Sequence, residues 1–311
     1  MKIFFNRIVR KEPYGGGSHF VTAMVEYLLN HNHEVVFHLN CSDIDVAFLV
    51  DPRPGDIGYS INHILNHKNQ INPKMKILHR VNECDKRKNT DFMDDLLVQT
   101  SNYTDRTVFI SEWLKKYFIE KGFKNAANSN VVYNGCNLKH FYPKEKVENN
   151  RKIKLVTHHW SDNWLKGFDL YKFIDQNIAG EEYDFTYVGR YNKDYQPQNT
   201  RLVKPLWGPE LGEEIRKHDI YVTASRFEPC GMHHVEGAAS GLPVIYHKDC
   251  GGINELCSNH GEEYENFDDF KEKLDLVSSN LNLYKEKISY QNIDINTCCE
   301  KFYNEILDLV K

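Results

Sequence analysis

The stretch from Ile220 to Tyr246 leaves little choice of fold. An apolar run, Ile220 to Thr223, leads into a tight turn at Pro229 to Gly231, then small residues Gly237 to Ser240, the breaker Gly241-Leu242-Pro243, and a second apolar run from Val244. That order reads as strand, loop, helix, strand. The second half keeps the pattern, with strands expected at Ile153 to Thr157 and Phe185 to Val188 and helices after Lys166 and near Glu210 to Lys217. Strict alternation of this kind argues a parallel sheet covered by helices. In such a sheet the crevice lies at the carboxyl ends of the strands, where each helix start offers unpaired N–H groups and a partial positive charge. A phosphate suits that place, and Glu228 and Glu236 bracket the turn that leads into it.

The chain of 311 residues suits two domains of roughly 150 each. A content of 41% apolar and 13% aromatic residues is enough for real cores, while a net charge of −5 with short, scattered basic runs gives no footprint for nucleic acid. The amino terminus, Met1-Lys-Ile-Phe-Phe-Asn-Arg, is broken by charge too early for a signal peptide, and the longest apolar segments, such as Val46 to Val50, have strand length. A soluble cytoplasmic protein without a transmembrane segment is expected. Eight cysteines with no C-x-x-C pair read as free thiols. His158-His159 and His233-His234 invite a metal, but adjacent side chains diverge on a strand or helix, so neither pair chelates alone. Asp43-Ile44-Asp45 precedes a strand instead of ending one and reads as a turn. No metal and no cofactor are expected.

The first half alternates too. Strands are expected at Lys2 to Phe5, His33 to Leu39, Val46 to Val50, Lys76 to Val81 and Thr107 to Ile110, with helices from near Ser18 to His31 with Ser18 as N-cap, Tyr59 to Asn69, Asp91 to Val98 and Ser111 to Lys121. Glu12-Pro-Tyr-Gly-Gly-Gly-Ser is a loop whose glycines let backbone approach a ligand. Asp51 opens a proline-stiffened turn, and Asn82, Glu83 and Asp85 follow a strand end, serving either an acceptor or an ordinary polar loop.

Three further features carry a resemblance. The spacing of Glu228, seven residues, Glu236 and then Gly241-Leu-Pro-Val resembles the E-x7-E signature of the retaining glycosyltransferases of family four (glycosyltransferase group 1), which have the two-domain GT-B fold. Val131-Val-Tyr-Asn-Gly-Cys-Asn-Leu-Lys-His-Phe-Tyr-Pro resembles that family's entry to its hinge, and Gly251-Gly-Ile-Asn-Glu its Gly-Gly-x-x-Glu loop. The resemblance implies an α/β GT-B protein: two Rossmann-like domains with parallel sheets facing across a cleft. Domains are then expected at 1–143 on the acceptor side, a linker at 144–152, a nucleotide-sugar domain at 153–293, and a last helix, 294–311, crossing back to the first domain. Helices over Phe267 to Leu283 and Cys298 to Leu309 complete the chain.

By the same resemblance, Glu228 lies beside the donor sugar, Glu236 holds the ribose hydroxyls, and Gly231 and Met232 offer backbone amides to the donor. Gly16 and Gly17 reach the donor phosphates from the first domain, Lys166 neutralises the diphosphate, and the base meets backbone near Lys204 to Trp207. Asp51, Asn82 and Glu83 fall on the acceptor side. The chain departs from the family at Trp160, where an arginine is usual; Arg190, at the end of the next strand, either supplies the missing charge or makes a surface ion pair. The expected activity is retaining transfer of a sugar from a UDP- or GDP-linked donor to a hydroxyl of a glycan, lipid or small molecule. A phosphorylase or epimerase on the same fold, and a non-catalytic sugar-nucleotide-binding subunit, are the alternatives.

Overall fold

In the computed structural model, which describes residues 1–9, 15–144, 152–180 and 182–311, the described residues form twelve strands in two parallel sheets. The chain divides into two units, Met1–Asn134 with Ile295–Lys311, and Gly135–Asp294. The expected linker, 144–152, falls almost wholly outside the described residues, as do residues 12–14 of the glycine loop.

In the first unit, β1 (Lys2–Phe5), β2 (Glu34–Val36), β3 (Val46–Leu49), β4 (Lys76–Val81), β5 (Arg106–Phe109) and β6 (Ser129–Val131) lie in the order β2-β1-β3-β4-β5-β6. The period of two along each strand assigns the faces. Ile3, Phe5, Val46 and Phe48 meet Phe20, Met24 and Leu28 of helix Gly16–Asn30 and Phe302 and Ile306 of helix Ile295–Val310. Phe4, Ala47, Leu49 and Ile77 turn to the other face and meet Ile61 and Ile64 of helix Ile61–Gln70. The last helix is further tied by Arg106 to Glu305 at 2.8 Å and by His33 Nε2 to the Tyr303 hydroxyl at 2.9 Å.

In the second unit, β7 (Ile153–His159), β8 (Tyr183–Gly189), β9 (Thr200–Val203), β10 (Ile220–Thr223), β11 (Val244–His247) and β12 (Gly261–Tyr264) run β12-β11-β10-β7-β8-β9. Counted from its own first strand, this is the 3-2-1-4-5-6 order of the doubly wound dinucleotide-binding fold, with the reversal between β7 and β10. Val156, Tyr221 and Val244 face Val235, Ala238 and Ala239 of helix Met232–Ala239, while Leu155, Ile220 and Ile245 face Phe168, Tyr171 and Ile174 of helix Phe168–Asn177 on the other side.

Several element bounds change. The first helix starts at Gly16 with Gly15 as its cap; Ser18 already sits inside the first turn, its N–H donating to Gly15 O at 2.9 Å. The helix expected over Phe267 to Leu283 is two, Phe267–Ser279 and Leu281–Glu286, because Asn280 leaves helical geometry and its side-chain amide donates to Leu276 O, competing with the backbone ladder. The strand expected over His33 to Leu39 shortens to Glu34–Val36. Among the described residues no helix is long and apolar enough to cross a membrane.

Candidate active site at a strand-order reversal

At the reversal of the second sheet, β7 and β10 pair through Leu155 with Ile220 and Val156 with Tyr221, and a tightly held loop follows β10. After β10 the backbone is stitched on both sides: Arg226 N–H donates to Leu165 O at 2.9 Å, Phe227 N–H to Asp249 O at 2.8 Å and Glu228 N–H to Cys250 O at 3.1 Å, while Glu228 O accepts from Gly252 N–H at 2.8 Å. Phe227 has φ of 54°, a conformation that costs a bulky residue roughly 1–3 kcal/mol and persists where its surroundings over-determine it. The consequence is that Glu228 points inward and is only 2% exposed.

Its Oε2 lies 2.5 Å from Lys166 Nζ, so two of the expected site residues, 62 positions apart, meet in one partly buried ion pair. Lys166 ends the short turn Trp164–Lys166 just before helix Phe168–Asn177. A phosphate is the expected partner of this cation; within the protein it meets the Glu228 carboxylate. A charged pair so little exposed is sustained only by close geometry. Gly231 borders it: a Cβ there would come 3.0 Å from Glu228 Cδ and 2.6 Å from His233 Nδ1. Gly231 also caps helix Met232–Ala239, whose first turn has no side-chain cap and no acid, so its N–H groups favour an anion.

Glu236, 5% exposed, sits one turn further along that helix. Its Oε2 accepts from His158 Nε2 at 2.7 Å, and His158 Nδ1 lies 3.0 Å from the Tyr221 hydroxyl. His159 and His233 stand beside them, with ring centroids 4.8 Å apart. Both are held well below the usual histidine pKa, first by burial; Lys166 and neighbouring imidazoles add to this, so both are neutral near pH 7. His159 Nε2 lies 2.7 Å from the Tyr171 hydroxyl and His233 Nε2 lies 2.9 Å from Thr223 Oγ1. Among the described residues no group of histidines, cysteines and acids is arranged to hold a metal ion.

Trp160 and Arg190 also come together. The Arg190 guanidinium lies 4.2 Å above the Trp160 ring, and Arg190 N–H donates to His159 O at 3.1 Å. The residue standing where an arginine is expected therefore carries an arginine on its face. Lys204 to Trp207 follow β9 and lead into helix Gly208–Ile215, with Trp207 exposed.

The first unit has its own reversal between β1 and β3. Gly16 and Gly17 open helix Gly16–Asn30, and a Cβ on Gly17 would lie 3.5 Å from Asn82 Nδ2. Asp51 is engaged by Arg7 at 2.8 Å and Arg53 at 2.7 Å, and Asn6 Nδ2 donates to its carbonyl at 2.5 Å. Glu83 pairs with Arg87 at 3.4 Å and with Lys88. Asp43 and Asp45 both serve Lys2, at 2.9 Å through its ammonium and 2.7 Å through its backbone N–H. None of the eight cysteines is in a disulfide.

The contact missing from the sequence reading is His158 with Tyr221. By type and spacing these histidines read only as metal-ligand candidates, and the alternation that places His158 inward at the end of β7 is the signal for the contact.

Residues 177–292 match the family described as "Glycosyl transferases group 1". A curated relative, glycogen synthase of Koribacter versatilis, is 26% identical over 155 residues, 44% of this chain and 32% of the relative, so the chain spans about a third of that protein's length. Among solved structures, sucrose-phosphate synthase of Thermosynechococcus elongatus superposes with a TM-score of 0.73 at 13% identity, covering 99% of this chain and 98% of that one. Anabaena HepE, solved in complex with UDP-glucose, gives 0.73 at 13% identity over 99% and 100% of the two chains. A Rickettsia africae glycosyltransferase gives 0.70 at 16% identity over 100% and 98%. The fold is GT-B, with two Rossmann-like domains.

Proposed function

We propose that this chain, with a group 1 glycosyltransferase domain matched over residues 177–292 on a GT-B fold, is a retaining hexosyl- or related glycosyltransferase. It would move a sugar from a nucleoside diphosphate donor to an acceptor hydroxyl. The observation that carries the reading is the convergence of Glu228, Lys166 and Glu236 at the β7–β10 reversal, the place where an open α/β sheet binds its ligand. That UDP-glucose is seen with the Anabaena relative supports a nucleotide-sugar donor of the UDP or GDP type.

In this reading the donor's C1–O bond breaks with its electron pair going to the diphosphate, and stabilising that leaving charge carries much of the rate. Lys166, Arg190 on Trp160, and the backbone amides of Gly231 and Met232 are the groups of the second unit assigned to it. Glu228 holds sugar hydroxyls and faces the positive charge at C1. The acceptor oxygen bonds to C1 on the face the phosphate leaves, and its proton passes to a phosphate oxygen. Glu236 holds the ribose. Asp51, Asn82 and Glu83 are the acceptor-side candidates. No cofactor beyond the donor is required, and the chain would work in the cytoplasm.

A panel of UDP- and GDP-sugars tests this, read as nucleoside diphosphate release with and without acceptor glycans, and by NMR of the first-formed anomer. Release from at least one donor with retained configuration is expected. Absence of turnover with every donor, despite nucleotide binding, would favour a non-catalytic binding subunit, and an inverted product would remove the front-side path.

A further inference from the structure

We infer that His158 is a positioning residue of the nucleotide site: held by Tyr221, it fixes the Glu236 carboxylate in the orientation that receives a ribose hydroxyl. The inference rests on the reading of Glu236 as the ribose ligand and adds two residues to it.

A carboxylate only accepts, so His158 Nε2, 2.7 Å from Glu236 Oε2, carries the proton and donates. His158 Nδ1 and the Tyr221 hydroxyl share a second hydrogen bond at 3.0 Å. The hydroxyl oxygen in turn accepts the backbone N–H of His158 at 3.1 Å, so the imidazole is fixed through both its ring and its main chain. All three side chains are buried. Tyr221 is seated just as firmly: it lies on β10 against Gly237, where a Cβ would come 2.4 Å from its ring, so the small residue one position after Glu236 makes room for the ring that orients Glu236. A glutamate has three rotatable bonds, and a ligand must otherwise order them on binding. Each carboxylate oxygen has two acceptor sites, so the bond from His158 leaves capacity for a ribose hydroxyl on either oxygen. The chain runs strand β10, strand β7, helix Met232–Ala239, and so ties together the elements on the two sides of the sheet reversal.

A merely structural role for His158 would weaken all ligands alike, whereas a role through Glu236 is specific to the ribose. The test is calorimetric titration of the full chain with UDP and GDP and with their 2′,3′-dideoxy counterparts, on the parent, His158→Leu, His158→Gln and Tyr221→Phe. The parent should prefer the ribonucleotide. His158→Leu should lose about tenfold or more in affinity for it, the size of one hydrogen bond to a charged group, with little change for the dideoxy form. His158→Gln, which keeps an amide donor near the Nε2 position, should restore most of the preference, and Tyr221→Phe should narrow it partly. If His158→Leu does not fold, Tyr221→Phe, which removes a single hydroxyl, carries the test. A parent-like ratio in folded His158→Leu, or in Tyr221→Phe where it alone folds, overturns the positioning role. A parent that does not distinguish the two nucleotides overturns the ribose assignment of Glu236 itself.

Discussion

Arg190→Ala separates a stacking arginine from a working one. In the structure the guanidinium lies 4.2 Å over the Trp160 ring at an exposed position, a contact worth about 0.5–1 kcal/mol. For units of this size each kcal/mol moves the melting midpoint by about 2–4 °C, so the substitution should lower it by no more than about 1–4 °C. If the guanidinium also faces the leaving diphosphate, losing one aligned stabiliser of developing charge should depress turnover by about 10²–10³. That corresponds to about 2.7–4 kcal/mol, several times the stability effect. Differential scanning calorimetry gives the first quantity and initial rates of nucleotide release at saturating donor the second. Trp160→Arg in the Arg190→Ala background should recover part of the rate, since it restores a cation at the adjoining position. The double variant Arg190→Ala/Lys166→Ala should fall short of additivity, because both cations are assigned to one diphosphate. Near-parental turnover in Arg190→Ala would remove this residue from the site and leave Lys166 and backbone amides with the charge.

Three other outcomes follow from the geometry. Glu236→Ala should weaken nucleoside diphosphate binding by roughly 1.5–3 kcal/mol in calorimetric titration while the circular dichroism spectrum is kept, and equal affinity would sink the ribose role. Transfer should survive EDTA, since the proposed site assigns cations and amides to the diphosphate; a chelator block reversed by manganese would contradict this. Acid should destabilise the second unit. Burial pushes His218 and His234 to about 3 and His260 to about 4, below the 6.5 of a free imidazole. The unfolded chain therefore binds more protons between about pH 4 and 6.5, and stability, complete above 6.5, falls on acidification by up to about 1.4 kcal/mol per unit per histidine. Urea midpoints at pH 7.5 and 5 measure the slope, and His234→Leu should flatten it; an unchanged slope would count against the burial argument.

What the sequence showed well was what local chemistry decides. The strands at Ile220–Thr223 and Lys76–Val81 stand where their apolar runs place them, and Ser111 caps its helix, accepting Leu114 N–H at 3.1 Å. The strands Thr200–Val203 and Gly261–Tyr264 were not legible: both are sheet edges, and Thr-Arg-Leu-Val and Gly-Glu-Glu-Tyr lack a continuous apolar run because one side of each has no neighbour. At the site, residue types and spacing pointed to Glu228, Lys166 and Glu236. The pairing of the first two with each other, and of the third with His158, spans 62 and 78 positions and is decided by which strands are neighbours in the sheet. No local pattern records that. Arg190 and Trp160 were legible as a possible exchange of charge, but not as a stack.

The helix Ile295–Val310 belongs to the first unit, although 160 residues of the second are strung between it and the rest of that unit. On a ribosome, therefore, the first unit cannot close its interior when its own six strands have emerged. Phe20 and Phe48, which pack against Phe302 at 4.8 and 5.7 Å, must wait uncovered while the second unit is made. At about 5–20 residues per second that delay lasts on the order of ten seconds or more, a window in which a half-finished apolar face is open to chaperones or to its own kind. The usual vectorial order, amino-terminal domain first, is reversed here by topology: the second unit is complete before the first.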